Sequence, residues 1–232
     1  MKHRGKKYKA SRAQVASRVI VPLKQAVDQL KKVAFAKFDE SVDVVLRLGI
    51  DPAKGEQAVR GSVILPAGTG KKVKVLVFAK GEHAHAAQQV GADYVGSEDL
   101  IEKIEGGWID FTYAVATPDM MGKVGKLAKI LGPRGLLPNQ KLGTVTFDVA
   151  PIVQDLKSGR IFFKNDKQGD VHVTLGKVSF DAPKLQENIV AFLKALAASR
   201  PAKAKGKFLK SMTITSTMGP GITVSPDEVV AV

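Results

Sequence analysis

Ser211, Thr213, Thr215 and Thr217 recur at every second position toward the end of a 232-residue chain. In an extended strand that period puts all four on one face, which then presents a row of hydroxyls. Each hydroxyl both donates and accepts, so the row suits phosphate oxygens and ribose 2′-OH groups on the shallow side of an RNA helix or folded junction. β propensity alone also favours an exposed threonine-rich strand, and the spacing leaves both readings open. A second candidate is Ile130-Leu131-Gly132-Pro133-Arg134-Gly135-Leu136-Leu137-Pro138-Asn139-Gln140-Lys141, set in a stretch between Asp119 and Asp148 that holds five bases and no acid. Its glycines and prolines predict a non-repetitive turn after a helical run, whose amides can form an anion-attracting nest beside Arg134 and Lys141. Gly-Pro-Arg-Gly taken alone is most often an ordinary solvated loop.

Further polar groups cluster at Lys164-Asn165-Asp166-Lys167, where a solvated hairpin turn is the alternative to RNA contact. Lys203, Lys205, Lys207 and Lys210 can neutralise phosphates but cannot specify sequence. Catalytic and metal-binding motifs fail at defining residues. Gly68-Thr69-Gly70-Lys71-Lys72 lacks the first glycine of a phosphate loop, because position 65 is leucine, and it has Lys72 where a Ser or Thr is needed. His83 and His85, two apart, diverge by roughly 200° on a helix and cannot clasp one metal ion. A small nucleotide-binding transferase would need a phosphate loop after Val73 to Phe78, and Ala79-Lys80-Gly81-Glu82-His83 is not one. No cofactor or metal is expected.

The elements that must position these residues follow from the pattern. Pro22 suits a first helical position, and Leu23, Ala26, Val27, Leu30, Val33 and Ala34 form an apolar stripe behind a basic N-terminal arm. Val42 to Leu48 and Gly61 to Pro66 alternate as two strands, expected to pair antiparallel. From Val73 onward strands and helices alternate: a strand to Ala79, a helix from Glu82 to Val90, a strand from Ala92 to Val95, a helix from Glu98 to Ile104, a strand from Phe111 to Ala116 and a helix from Met120 to Leu131. That alternation predicts βαβ units and a covered parallel sheet. After Gly159 strands at Ile161 to Phe163, Asp170 to Leu175, Val178 to Phe180 and Lys210 to Thr217 surround a helix carrying Leu185, Ile189, Phe192, Leu193 and Leu196. The expected fold class is α/β in two domains. Residues 1–69 and 160–232 make a discontinuous α+β domain, and residues 70–159 make an inserted three-layer, Rossmann-like α/β domain with a parallel sheet. Gly68, Gly70 and Gly159 mark a two-strand hinge that lets the inner domain swing.

Composition bounds the partners. Lys plus Arg number 36 against 22 Asp plus Glu, a net +14 and pI near 9.9, which suits a polyanion. The outer segments carry 25 bases and 12 acids, the inner segment 11 bases and 10 acids, so the outer domain is the expected electrostatic footprint. There is no cysteine, the N-terminus lacks a signal-peptide core, and no apolar run approaches a membrane span, so a soluble cytoplasmic protein without membrane association is expected. A sequence-tolerant basic chaperone or membrane-surface protein fits this composition too.

Three strings separate these alternatives. Gly132 to Lys141 is near-identical to the Gly-Pro-Arg-Gly-Leu-x-Pro-Asn-x-Lys segment of the large-subunit ribosomal stalk protein family, the L-one family, and Leu137 and Gln140 stand where that family more often has Met and Pro. Ser216-Thr217-Met218-Gly219-Pro220 and Lys37-Phe38-Asp39-Glu40 also resemble segments of this family, as do His172, Gly176-Lys177 and Ser179-Phe180 in their spacing. The resemblance spans nearly the whole chain. It implies a structural, non-enzymatic constituent of the large ribosomal subunit that forms a mobile stalk, binds ribosomal RNA and assists release of deacylated tRNA from the exit site. It further implies repression of its own operon by binding the mRNA, and a monomer off the ribosome. Residue by residue it implies an rRNA or mRNA contact through Lys37, Phe38, Ser41, Lys164, Asp166, Lys167, His172, Ser211, Thr215, Thr217, Met218 and Gly219, with a second RNA- or tRNA-facing loop at Arg134, Asn139 and Lys141. On this reading the Thr217 hydroxyl faces RNA and contributes little to stability.

Overall fold

The structure is a computed structural model that describes residues 5–15, 19–52, 57–202, 204 and 206–226. In chain order its elements are α1 (Lys6–Ala13), α2 (Leu23–Val33), β1 (Ser41–Leu48), β2 (Arg60–Ile64), β3 (Val75–Phe78), α3 (Glu82–Gln89), β4 (Tyr94–Gly96), α4 (Glu98–Glu105), β5 (Tyr113–Ala116), α5 (Pro118–Val124), α6 (Ala128–Arg134), α7 (Val149–Ser158), β6 (Arg160–Lys164), β7 (Asp170–Lys177), α8 (Ala182–Ala198), β8 (Leu209–Ser216) and β9 (Ile222–Val224). Contacts divide the chain into two compact units, residues 1–70 with 161–232 and residues 71–160. The fold is mixed α/β, with antiparallel sheet in the first unit and parallel sheet in the second.

In the first unit the sheet order is β7-β1-β8-β9, antiparallel throughout. Val42, Val44, Leu46 and Leu48 alternate inward from β1, as period two requires, and meet Met212 and Ile214 of β8 in one core. Helices α2 and α8 close that core. Ala26, Val27, Leu30 and Val33 of α2 are buried at three and four spacing, as are Leu185, Ile189, Phe192, Leu193 and Leu196 of α8. The fully buried Asn188 of α8 would be costly without partners, and it has three: its Nδ2 donates to the carbonyls of Gly68 and Leu175, and its Oδ1 accepts from the amide of Ala67.

Several expectations need correcting here. β1 does not pair with β2; its neighbours are β7 and β8, while β2 pairs with β6 in a separate two-stranded sheet. Pairing continues the buried face: beside Val44 and Leu46 lie Val173 and Val171 of β7 and Ile214 and Met212 of β8, all buried, whereas no residue of β2 is. The basic arm is helical over Lys6–Ala13, and Pro22 precedes the first turn of α2 as its N-cap rather than sitting inside it. Residues 178–180 turn instead of forming a strand, with the Phe180 amide bonded back to the Lys177 carbonyl.

In the second unit the parallel sheet runs β4-β3-β5, and Val145 adds a parallel bridge beside Ala116. All four residues of β3 are buried because helices cover both faces, α3 and α7 on one side and α4 with α5 on the other. Helix α7 has no counterpart among the expected elements; Val149, Val153 and Leu156 are its buried stripe, and Pro151 is compatible with its first turn. Gly159, expected as a hinge, is its left-handed C-cap at φ 112°, and Gly68 and Gly70 also hold positive φ, 69° each. Gly68 is not a free pivot, because the Asn188 amide grips its carbonyl.

Candidate nucleic-acid interface

Among the described residues, helices α2 and α8 pack on one face of the four-stranded sheet, and strand register decides what the other face carries. Asp43 lies between Thr174 and Thr215, Val45 between His172 and Thr213, and Arg47 between Asp170 and Ser211. The hydroxyls of β8 are therefore one column of a wider surface rather than an unbroken hydroxyl face. Arg47, exposed in that surface, is a candidate that sequence reasoning misses; its only signal there is an outward position in an alternating strand. Thr174 Oγ1 donates to Asp43 Oδ1 at 2.6 Å, and Thr215 Oγ1 donates to the Ser216 carbonyl at 3.0 Å, so both hydroxyls already serve the fold.

At the Ser41 end of this face the chain holds two large apolar side chains in solvent. Phe38 is 57% exposed and Met218 is 51% exposed. Both are fixed from below by acids. Asp39 accepts from the amide of Ser179 at 3.1 Å and from its hydroxyl at 2.8 Å, while Lys177 Nζ donates to the Asp39 carbonyl and to Ser41 Oγ. Glu40 is buried and ties two loops together: Oε1 accepts from the amides of Phe35 (3.2 Å) and Ala36 (2.8 Å), and Oε2 accepts from the amide of Met218 (3.0 Å). Burial pushes its pKa up, but the Ser216 hydroxyl and the Met218, Ala36 and Phe35 amides outweigh it and hold the carboxyl below its ordinary value. Ser216 Oγ is buried and finds no hydrogen-bond partner of ordinary geometry among the described residues. Gly219 is small for a packing reason, since a Cβ there would strike Ser216 Oγ.

The placement of Thr217 corrects the expectation for its hydroxyl. Its Oγ1 accepts from the Ser41 amide at 2.9 Å, and its own amide donates to the Ser41 carbonyl at 3.1 Å, so it continues the ladder beyond β8. Thr217→Val therefore removes an acceptor from the start of β1. The expected result is a loss of about 1 kcal/mol in unfolding free energy, with weaker RNA binding alongside it. Denaturant unfolding and RNA titration of the same variant check this; unchanged stability would return the hydroxyl to solvent.

The structure thus gathers Phe38, Ser41, Thr217, Met218 and Gly219 at one end, with Lys37 exposed beside Phe38. It does not bring Lys164, Asp166 and Lys167 to them. These lie at the β6–β7 turn near the Arg47 end, roughly 24 Å away along β1 at about 3.4 Å per residue, and His172 falls between, opposite Val45. Asp166 organises that turn: the amides of Asp170 and Gln168 both donate to its Oδ1 at 2.8 Å, and together with nearby His172 they hold its carboxyl below the usual range despite some desolvation. Among the described residues, Asp166, Asp170 and His172 are the group whose ligand atoms fall within 4.8 Å of one another. Lys203 and Lys205 lie outside the described residues; Lys207 and Lys210 are exposed.

The expected anion nest at Gly132 to Lys141 is absent in the form proposed. Helix α6 runs through Pro133 to Arg134 and ends on left-handed Gly135 at φ 70°. Its closing amides are consumed, Gly135 donating to the Gly132 carbonyl and Leu136 to that of Leu131. Asn139 caps the next turn through its Oδ1, which accepts from the Lys141 amide at 2.9 Å, leaving Arg134 and Lys141 as exposed cations. Five other cations of this unit face carboxylates. Lys74 meets Asp110, Lys157 meets Asp93, Arg160 meets Asp155, and both Lys80 and Lys123 meet Glu98, whose pKa the hydrogen bonds from Lys123 and Lys80 pull down to about 2. The first unit holds 24 bases against 12 acids, a net +12, and the second 12 against 10.

A strongly basic α+β unit with an open, polar sheet face, joined to a nearly neutral parallel α/β unit, describes a polyanion-binding protein. Comparison with protein families matches residues 30–220 to the Ribosomal protein L1p/L10e family, and the chain belongs to that family. It is accordingly a structural constituent of the large ribosomal subunit in the cytoplasm, it binds ribosomal RNA, and its family is not one of enzymes. Among the described residues, no helix is long and apolar enough to cross a membrane.

Proposed function

We propose that the Ser41 end of the open sheet in the basic unit is the contact for large-subunit ribosomal RNA. One observation carries this reading: Phe38 and Met218 are held out in solvent beside two internally bonded acids, an arrangement that costs apolar exposure and gives planar or polarizable surface for a base or sugar. In this reading Lys37 neutralises phosphate and Ser41 offers a hydroxyl at that end, Thr215, Thr217 and Gly219 shape the part that carries Met218, and Arg47 with Ser211, at the other end of β1, meet the RNA backbone farther along. The Lys164 to Lys167 turn with His172 forms an outlying contact farther along the RNA. Arg134 and Lys141, on the loop braced by Asn139, meet exit-site tRNA, and the protein assists its release while the basic unit stays on ribosomal RNA. The same Ser41 end binds the protein's own operon mRNA, which then competes with ribosomal RNA for one surface. A roughly tenfold preference for ribosomal RNA needs only about 1.4 kcal/mol, so repression begins when free protein exceeds ribosomal sites. Off the ribosome the protein is a monomer.

Crosslinking in cell extract followed by sequencing of the attached RNA tests this. The expected reads come from one region of large-subunit ribosomal RNA and from the leader of the protein's own operon. Reads scattered over unrelated transcripts would contradict the reading.

A further inference from the structure

An apolar cleft of about 530 Å³ opens beside the same end of the basic unit, lined by Gly5, Lys6, Lys7, Tyr8, Phe35 and Met218. Its size lies within the range of small-ligand pockets. Two of its walls hang from one carboxylate, because Glu40 receives the Phe35 amide on Oε1 and the Met218 amide on Oε2. A third wall is helix α1, whose Lys6, Lys7 and Tyr8 fall outside the stretch that matches the family, so family membership assigns nothing to that wall. What would occupy it follows from its chemistry. Aromatic faces and a thioether take a flat, polarizable group, and exposed Lys6 and Lys7 at the mouth favour one attached to an anion. A nucleotide combines these properties, and Met218 makes the cleft continuous with the RNA contact proposed above.

We infer that the cleft receives one unstacked nucleobase of the bound RNA, against Tyr8, Phe35 and Met218, with an adjoining phosphate on Lys6 or Lys7. The inference rests on the ribosomal RNA contact at the Ser41 end and adds a base-accepting pocket to it. RNA bases splayed out of a fold are commonly stacked on aromatic side chains, with little dependence on which base it is. The occupied pocket would select RNA shapes in which a base is free at that point, which phosphate contacts alone cannot do.

The test uses the full chain and large-subunit ribosomal RNA transcribed from the same organism. Irradiation at short ultraviolet wavelength, proteolysis and mass spectrometry locate nucleotide adducts. Adducts are expected on peptides holding Tyr8 and Phe35 as well as on those holding Phe38 and Met218. Tyr8→Ala and Phe35→Ala are expected to weaken RNA binding about tenfold, equivalent to about 1.4 kcal/mol, and Tyr8→Phe to stay within about twofold, with circular dichroism confirming that each variant folds. Adducts at Phe38 but none at Tyr8 or Phe35 would overturn the pocket and leave the RNA contact standing. Adducts at neither would overturn both. Dimerisation abolished by Tyr8→Ala with RNA affinity unchanged would make the cleft a self-association surface and also overturn the inference. The adduct map is read on the unsubstituted protein, so it decides the matter even if a variant fails to fold.

Discussion

Glu40→Ala is expected to lower the unfolding free energy by roughly 2–4 kcal/mol at neutral pH and to weaken ribosomal RNA binding at least about tenfold. The stability loss follows from three amide donors, Phe35, Ala36 and Met218, that lose one buried acceptor together. A buried donor without a partner costs about 1–3 kcal/mol, and here solvent recovers part of that because the loops are only partly buried. The binding loss follows from geometry: without the carboxylate the Phe35–Ala36 loop loses its link to the Met218 amide, only the Ser41–Thr217 pair still joins the start of β1 to the turn after β8, and Phe38 and Met218 no longer hold one arrangement. Glu40→Gln keeps one acceptor and should fall between. The pH dependence has a definite sign. The carboxyl titrates near 4.5 when unfolded and lower when folded, so its stabilisation is complete above about pH 4.5 and fades as pH falls toward the folded value. The stability gap between the unsubstituted protein and the Glu40→Ala variant should therefore narrow below that pH, as measured by denaturant unfolding across the acid range. A gap that is absent at pH 7, or that widens on acidification, would remove Glu40 from this role.

Glu40 also shows where sequence stops being legible. Its neighbours Lys37 and Phe38 can be singled out by type, but a glutamate between a helix and a strand reads as solvated, and only tertiary contacts 178 residues away in the chain reveal its burial. The long, strongly periodic segments are readable: α2, β1, α8 and the strand–helix alternation from β3 onward all follow from apolar spacing. Strand partners are not. Short connections are the common case, which joins β1 to its sequence neighbour β2, whereas both of its edges are paired by strands more than a hundred residues away. The Gly-Pro-Arg-Gly string misleads for a local reason. Pro133 suggests a break, yet it is tolerated within the short α6, and the left-handed Gly135 supplies the stop two residues later. Period two places Thr217 on a face, but period cannot say whether a hydroxyl meets a ligand or the amide of the next strand.

The second large effect concerns where affinity resides. Nearly all the net charge lies in residues 1–70 with 161–232, and the exposed Phe38 and Met218 lie there too, whereas several cations of residues 71–160 already face carboxylates. Exposed ion pairs add little stability, but they lower the positive field available to a polyanion. A protein that neutralises several phosphates releases their counterions, so affinity for ribosomal RNA should drop by roughly a thousandfold between about 50 and 200 mM salt. The most direct measurement is a salt-dependent titration of one ribosomal RNA with three proteins: the full chain, a fragment joining residues 1–70 to 161–232 by a short linker, and a fragment of residues 71–160. The expected outcome is that the full chain and the joined fragment bind with similar affinity and similar salt slope while the inner fragment binds weakly. Equal or tighter binding by residues 71–160, or a folded joined fragment that fails to bind, would contradict the placement of the RNA contact on the basic unit.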